Sequence, residues 1–202
     1  MILNRFTTLP SLLTMLEQKR LYFSDPARWE DKNDEGAIEI YREKKGLAKV
    51  FVLCCTKDTE TIYHWKAFSE TDCGCCVEFN SEALFEICNE VPDIKHGKVD
   101  YVKIKDLPKE YRGKEDKIPF LKRWPYRNES EYRILYEAKK KQNSFWLDID
   151  YKLIKKVTVS QRLNKESFES LKKIIQEKYE ITVNQSTVYK NDRWLTKMRD
   201  EI

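Results

Sequence analysis

Short apolar runs separated by polar turns follow one another along the chain, and they predict a protein with many β-strands. The longest run, Lys49–Thr56, has apolar side chains at consecutive positions, which predicts a strand buried on both faces. Other apolar or alternating runs predict further strands at residues 2–6, 20–24, 74–79, 96–104, 131–137, 145–149, 153–159 and 181–183. We expect the strand at 145–149 to pair with the one at 131–137 across a polar hairpin.

Helices are predicted where apolar residues recur at intervals of three or four positions. In the first of these, Thr8 is a typical N-cap, and Leu12 and Leu16 share one face. Ser81 is the expected N-cap of a later helix. The other predicted helices lie at residues 60–68 and from 164 onward, with an exposed helix in the charged stretch 29–46.

Together these elements predict an α+β domain over residues 1–202, with a mixed, largely antiparallel sheet and peripheral helices. Residues 164–202 are alternatively a C-terminal helical appendage to this domain. A hydrophobic content of 41% suffices for a sizeable core, and 5 glycines and 6 prolines are too few for a disordered or fibrous chain.

The charges nearly cancel, with 38 Lys and Arg residues against 34 Asp and Glu residues and a net charge of +4. This balance permits contact with nucleic acid without requiring it, because proteins that coat nucleic acid usually have a larger basic excess. No apolar run approaches the roughly 20 residues that a membrane-spanning helix needs, and the N-terminus has no secretion signal. We therefore expect a soluble, cytoplasmic protein without a membrane partner.

Six cysteines are present, and four of them lie in the predicted strands at 49–56 and 74–79. Cysteine in such a strand usually acts as a small buried apolar residue. The Cys-Gly-Cys-Cys sequence at 73–76 suggests a metal site, but no second Cys or His pair supplies the remaining ligands. We expect core thiols, with neither disulfides nor a bound metal.

The most unusual charge pattern is Glu-Ser-Glu-Tyr-Arg at residues 129–133, where a predicted strand begins. Side chains two positions apart in an extended chain point to the same side. We therefore expect Glu129, Glu131 and Arg133 on one face, next to a basic and aromatic approach at 120–127. The residues of this approach that are candidates for contact with nucleic acid or a partner protein are Lys122, Arg123, Trp124 and Arg127.

Arg5 and Ser24 lie on two earlier strands, and with the two glutamates they suit a cleft for an anionic ligand that contains a sugar. Arg can hold a phosphate with a bidentate fork, and Ser can contact a ribose. Glu can hydrogen-bond to a ribose hydroxyl and stabilise positive charge as a glycosidic bond breaks. The aromatic residues that can stack on a nicotinamide or a base are Tyr22, Phe23, Tyr63 and Trp65.

Simpler explanations are open for each of these residues. Glu131 and Arg133 can form ion pairs on an exposed strand face, each contributing about 0.2–1 kcal/mol. Arg5 can pair with a surface acid, and Ser24 can cap the Asp-Pro turn that follows it. A metal-dependent nuclease is another alternative, although a solvated loop is the favoured explanation of the acidic residues it would use, Asp31, Asp34 and Glu35.

The sequence resembles the bacterial DUF2971 family in several short motifs that follow the family's order. They are Arg5-Phe6, residues 21–31, Cys55-Thr56, and residues 63–68, 74–79, 99–101 and 122–133. The family usually has Asn-Asp-Pro-Phe-Glu after the second strand, whereas this chain has Glu-Asp-Lys-Asn-Asp-Glu at 30–35. The family name implies no activity. Its frequent association with phage-defence loci implies a toxin or effector with an antitoxin or a defence-system partner.

A second resemblance is to ADP-ribosyltransferases, especially the compact bacterial toxins that modify nucleic acid or protein. Their pattern is an Arg on the first strand, a Ser on a following strand and a Glu-x-Glu on a late strand, which Arg5, Ser24 and residues 129–131 match in order. The resemblance implies an ADP-ribosyltransferase-like fold and NAD as co-substrate. It also implies Glu131 as the catalytic residue and Glu129 as the group that orients or deprotonates the acceptor. The alternative is a non-enzymatic interaction or regulatory module of a defence system that binds its partner through residues 105–127.

Overall fold

The computed structural model describes residues 2–69, 71–107, 111 and 113–202. Its strands are β1 (Ile2–Thr8), β2 (Arg20–Phe23), β3 (Lys49–Thr56), β4 (Gly74–Asn80), β5 (Ile94–Lys98), β6 (Asp100–Val102), β7 (Leu121–Arg123), β8 (Glu131–Ala138), β9 (Phe145–Asp148), β10 (Ile154–Val159) and β11 (Thr182–Gln185). Its helices are α1 (Leu9–Gln18), α2 (Lys32–Lys45), α3 (Ile62–Phe68), α4 (Ser81–Glu90), α5 (Lys165–Tyr179) and α6 (Asp192–Glu201). None of these described helices combines the length and apolarity needed to cross a membrane.

Seven strands form one mixed sheet in the order β11-β10-β4-β1-β3-β8-β5. β10 and β11 are parallel, and every other neighbouring pair in this sheet is antiparallel. Two smaller pairs, β2 with β9 and β6 with β7, lie outside it. The predicted α+β architecture, with a mixed and mostly antiparallel sheet and helices, is therefore confirmed.

The larger core lies on the face of the sheet that packs against α1, α4 and α5. α1 begins where the Thr8 hydroxyl accepts a hydrogen bond from a backbone N–H of the first turn, as predicted. This helix buries Leu12 and Leu16, and α5 contributes Ile175 and Tyr179 to the same core. The apolar face of each helix therefore determines how it docks on the sheet.

A smaller core lies on the opposite face, where α2 packs against β3 and β8. α2 was expected to be exposed, but it buries Ile38 and Tyr41 against Val52 and Leu135. Alternate residues of a strand point to opposite faces. The apolar run of β3 thus fills both cores, as its sequence predicted.

Three details of the predicted elements are wrong. β9 pairs with β2 rather than with β8, and the Tyr22 and Trp146 rings meet across this pair at a centroid distance of 4.8 Å. The predicted strand at 96–104 is two strands, β5 and β6, which belong to different sheets. α4 is capped by Asn80 rather than Ser81, because the Asn80 side chain accepts from the first turn.

The cysteines are free thiols, four of them buried. Burial raises the pKa of Cys55 and of Cys75 to about 12, so these thiols stay protonated at neutral pH. Cys73 is exposed and Cys54 is half-buried. The buried cysteines thus act as core side chains, and Cys73 is a surface thiol.

β1 and β3 are neighbours at one end and diverge along the rest of their length. The candidate site lies in the opening between them. β1 is in register with β4 over all of Ile2–Thr8. Among the described residues, its register with β3 consists of one pair, Asn4 with Thr56. Farther along β3, Val52 bridges instead to Ser24, directly after β2. The part of β3 between these two contacts faces a cleft that β1 borders on its other side.

Candidate functional site

A cavity of about 630 Å³ occupies the cleft between β1 and β3, and this volume is usual for a small-molecule site. Residues of both sheet faces line it, Arg5 and Cys55 from one face and Cys54 and Glu131 from the other. The cavity therefore enters the opening in the sheet. It brings together five of the predicted catalytic and ligand-binding residues, which are Arg5, Ser24, Tyr63, Glu129 and Glu131. Lys122 of the basic approach and Asp31 and Asp34 of the nuclease alternative line it as well.

The wall of this cavity is acidic. Two cationic side chains, Arg5 and Lys122, line it together with five acidic residues, which are Glu30, Asp31, Asp34, Glu129 and Glu131. Asp31 Oδ2 is buried and has no hydrogen-bond partner among the described residues. Such a wall favours a positively charged group at this end of the cavity.

Arg133 lies directly behind the acidic wall and is completely buried. Its Nε donates to Glu131 Oε1 at 2.7 Å, and its Nη2 donates to Glu131 Oε2 at 2.9 Å. The remaining N–H groups donate to both carboxylate oxygens of Asp34 and to the carbonyl of Pro119. All five donors of the guanidinium are thus used. The alternative of an exposed ion pair between Glu131 and Arg133 is wrong, because both residues are buried.

Lys122 joins the carboxylates of the wall. Its Nζ lies 2.6 Å from Glu129 Oε2 and 3.3 Å from both Glu131 Oε2 and Asp34 Oδ2. Burial alone would lower the pKa of Lys122, but these three carboxylates raise it, so the side chain stays charged. Its ammonium group is held by carboxylates of the cavity wall rather than by the exposed surface of the neighbouring turn, and a contact of Lys122 with nucleic acid or a partner stays a prediction.

Glu131 stays ionised over the physiological range. Burial would raise the pKa of its carboxyl, but Arg133 and Lys122 together lower it to about 2. The three carboxylates of Asp34, Glu129 and Glu131 face the two cations Lys122 and Arg133. This buried group of five, which we call the acid cluster, therefore carries one excess negative charge.

Glu129 does not lie on β8. It ends a 3₁₀ turn, Trp124–Glu129, and Ser130 after it has a positive φ of 44°. The expectation that Glu129 and Glu131 share a strand face is therefore wrong. The two carboxylates meet because both bind Lys122.

His64 and Tyr63 on α3 hold Glu129 in place. The buried His64 ring contacts the Glu129 carbonyl through Nε2 at 3.1 Å and the Thr61 hydroxyl through Nδ1 at 2.9 Å. The Tyr63 hydroxyl lies 3.5 Å from Glu129 Oε1. Burial raises the pKa of Glu129, and Lys122 only partly opposes this. Of the two glutamates, Glu129 is therefore better suited to accept and release a proton.

Arg5 and Ser24 differ in how their polar groups are used. Arg5 is half-buried, and its guanidinium has no hydrogen-bond or ion-pair partner within the described part of the chain. Ser24 Oγ donates to the Val52 carbonyl at 2.9 Å and accepts from Trp29 Nε1 at 3.2 Å. Ser24 thus orients a wall of the cavity, and Arg5 offers free donors to it.

The predicted stacking residues divide into three groups. Tyr63 lines the cavity and is 36% exposed. Trp65 is 2% exposed, with its Nε1 donating to Glu60, and Phe23 is fully buried in the core. Neither ring offers a face to a ligand, so both of these predictions are wrong. Tyr22 lines a second, smaller cavity that also includes Arg5.

Arg123, Trp124 and Arg127 are exposed and form a basic and aromatic surface next to the cavity. The Arg127 guanidinium lies 5.0 Å from the centroid of the Trp124 ring. The Lys103 ammonium group lies 5.3 Å from the same centroid. The 3₁₀ turn that carries this surface also carries Tyr126 and Glu129 into the cavity. Residues 108–110 and 112 of the predicted partner-binding stretch lie outside the described residues.

The three acids of the nuclease alternative do not converge. Asp31 caps α2 and Asp34 binds Arg133, whereas Glu35 pairs with Lys32 at 2.7 Å and lines a different cavity. Across the described residues, no group of three His, Cys, Asp or Glu side chains is arranged to hold a metal ion. The geometry does not favour a metal centre at this position.

For two residues that shape the site, the sequence did not predict the role that the structure shows. Asp34 was expected in a solvated loop, or as an acid of the nuclease alternative, yet it is the second carboxylate on Arg133. Trp29 lies in the 21–31 motif of the family resemblance, and its ring is 5.5 Å from the Arg133 guanidinium. That motif was the one clue to its role.

No protein-family model matches the chain, and no curated protein matches its sequence at a significant level. The motif resemblances to the DUF2971 family and to ADP-ribosyltransferases therefore stay predictions.

Proposed function

We propose that the cavity binds NAD⁺, breaks its nicotinamide–ribose bond and transfers ADP-ribose to a macromolecule. The observation that carries this proposal is the position of the unpaired Arg5 guanidinium in the same cavity as Glu129 and Glu131. NAD⁺ has a cationic pyridinium ring at one end and two anionic phosphates in the middle. An acidic wall and a free guanidinium complement these two parts.

The acid cluster suits the charge that develops during this reaction. When the glycosidic bond breaks, its electron pair leaves with the nicotinamide nitrogen, and positive charge develops at ribose C1′. The Glu131 carboxylate is ionised, and Arg133 holds it in one orientation, so it can stabilise that charge without reorganising. A nucleophilic atom of the acceptor then bonds to C1′, and its proton passes to Glu129.

An ADP-ribosyltransferase-like fold is part of the same proposal. Arg5 on β1, Ser24 after β2 and Glu131 on β8 follow the order of that family, and the split between β1 and β3 supports it because the three residues meet there. The exposed surface of Arg123, Trp124 and Arg127 would hold a nucleic-acid or protein acceptor, with phosphate contacts adding affinity rather than sequence choice. A role as a toxin or phage-defence effector with a neutralising partner follows from the family resemblance.

The test is incubation of purified protein with cell extract and NAD⁺ labelled in its adenylate phosphate. We expect a macromolecule to become labelled by the wild-type protein and the Glu177→Gln control, which changes an exposed residue of α5. Labelling should fall at least about a hundredfold in Glu131→Gln and Arg5→Gln. Arg5→Gln breaks no described side-chain hydrogen bond or ion pair, and circular dichroism of each variant checks that it is folded. Metal-dependent loss of nucleic acid without NAD⁺ would overturn the proposal in favour of a nuclease.

A further inference from the structure

A second cavity, of about 240 Å³, lies on the α1 side of the cleft, and Arg5 lines both cavities. β1, α1, β2 and β9 form its wall, which includes Thr14, Arg20, Tyr22 and Trp146. Arg5 is thus the side chain that the two cavities share. A ligand that occupied both cavities would therefore contact Arg5.

The charge of the second cavity is opposite to that of the first. Arg5 and Arg20 line it, and no acidic side chain is among its lining residues in the described part of the chain. Arg20 Nε binds the exposed Asp148 at 2.7 Å, and no described group occupies its Nη atoms. The Arg5 guanidinium and the Nη atoms of Arg20, whose Nε is held by Asp148, favour an anion such as a phosphate.

The same cavity has an aromatic wall. Tyr22 and Trp146 are opposite each other on β2 and β9, and their rings meet at 4.8 Å with an angle of 52°. Trp146 is 37% exposed, and Tyr22 is half-buried. A partly exposed pair of this kind offers a surface on which a nucleobase can stack.

We propose that the second cavity holds the adenosine diphosphate part of a dinucleotide, with its base against Tyr22 and Trp146 and its phosphates near Arg5 and Arg20. This inference rests on the proposed function, because it assigns the other end of the same NAD⁺ molecule. The acidic cavity receives the cationic nicotinamide riboside, and the basic cavity receives the anionic half. The opposite charges of the two cavities thus orient the ligand.

Calorimetric titration with ADP, nicotinamide riboside and NAD⁺ separates the two cavities. Trp146→Ala and Arg20→Gln are expected to weaken ADP and NAD⁺ at least tenfold and to leave the affinity for nicotinamide riboside, which carries no phosphate, unchanged. Trp194→Ala and Arg193→Gln, exposed residues of α6, are the matched controls and should change none of the affinities.

Three outcomes would overturn the inference. The first is that ADP does not bind, and the second is that ADP binds with the same affinity to wild type and to both variants. The third is that the two variants weaken ADP but not NAD⁺, which indicates a site for a free nucleotide. Release of nicotinamide, measured on the same proteins, distinguishes this inference from the proposed function. Variant-sensitive binding of ADP and NAD⁺ without nicotinamide release supports the second cavity and contradicts the transferase. If nicotinamide is released but neither variant changes the affinity for ADP, only the assignment of the second cavity is contradicted.

Discussion

The Arg133 guanidinium holds the Glu131 carboxylate with two parallel hydrogen bonds, at 2.7 and 2.9 Å, in a part of the protein where Arg133 has no solvent exposure. A planar guanidinium can form this fork and an ammonium group cannot. Asp34 and the Pro119 carbonyl take the other donors. Arg133 therefore both supports the fold and aligns the proposed catalytic carboxylate.

Replacing Arg133 by Lys is expected to destabilise the fold by about 3–5 kcal/mol, because the fork is lost and the three donors of an ammonium group cannot satisfy all the buried oxygens that the five donors of Arg133 bind. Urea denaturation at neutral pH measures this change. Arg193→Lys on the exposed helix α6 is the control and should stay within about 0.5 kcal/mol of wild type. An Arg133→Lys loss below about 1 kcal/mol would mean that the cluster behaves like a surface ion pair.

The stability of the fold should fall in acid because of Glu131. The pKa of this carboxyl is about 2 in the folded protein and 4.5 for the free side chain. Because the folded value is the lower one, Glu131 contributes its stability above about pH 4.5, and that contribution is lost as the pH falls toward 2.

Glu129 has the opposite effect on the pH dependence of stability. Burial raises its pKa, so its protonation as the pH falls favours the folded state. Urea denaturation between pH 6 and 3 should therefore show a shallower decline for Glu131→Gln than for wild type and a steeper one for Glu129→Gln. Parallel curves for all three proteins would contradict this assignment.

The two glutamates should differ in the pH profile of the reaction. If Glu129 accepts the proton of the acceptor, the rate rises with pH through its raised pKa, and Glu129→Gln removes this rise. Glu131→Gln should lower the rate at every pH and keep the shape of the profile, because Glu131 is already ionised. Transfer rates from pH 5 to 8 decide this. A profile unchanged by Glu129→Gln would show that another group is the base.

The acidic wall should distinguish NAD⁺ from NADH. The oxidised nicotinamide ring is cationic and the reduced ring is neutral, so NAD⁺ is expected to bind about tenfold more tightly, a difference of about 1.4 kcal/mol. Asp31→Asn should reduce this preference, because it removes one negative charge from the acidic wall. Competition titrations measure both affinities. Equal affinities in the wild-type protein would contradict the electrostatic role of the wall.

The local pattern of the sequence was sufficient for most elements and for the residues of the cleft. Thr8 capped its helix as expected, and the apolar run of β3 was buried on both faces because both signals act over a few neighbouring residues. The pairing of β9 with β2 was not predictable from a hairpin rule, since long-range ring packing of Trp146 on Tyr22 outweighs proximity in the chain. α6 lies in the stretch given as an alternative helical appendage but was not predicted as a separate helix, although Asn191 caps it.

The chemistry of the site was predictable only in part. Arg5, Ser24 and Glu131 were chosen from their order in the chain, and they do line one cavity. The environment of each depends on residues far away in sequence, such as Asp34, which lies 99 positions from Arg133. The spacing of residues in the sequence does not predict that Lys122 is largely buried or that Ser130 has a positive φ. These two features place the Lys122 ammonium group against the Glu129 carboxylate.

The measurement that tests the central claim most directly is release of nicotinamide from NAD⁺ by the purified protein, followed by chromatography with and without a macromolecular acceptor. We expect release by wild type and by Glu177→Gln, and release reduced at least about a hundredfold in Arg5→Gln and in Glu131→Gln that circular dichroism shows to be folded. Release that is absent from the wild-type protein under both conditions, or that persists in both cavity variants, would contradict the assignment of this cavity as the site of glycosidic bond cleavage.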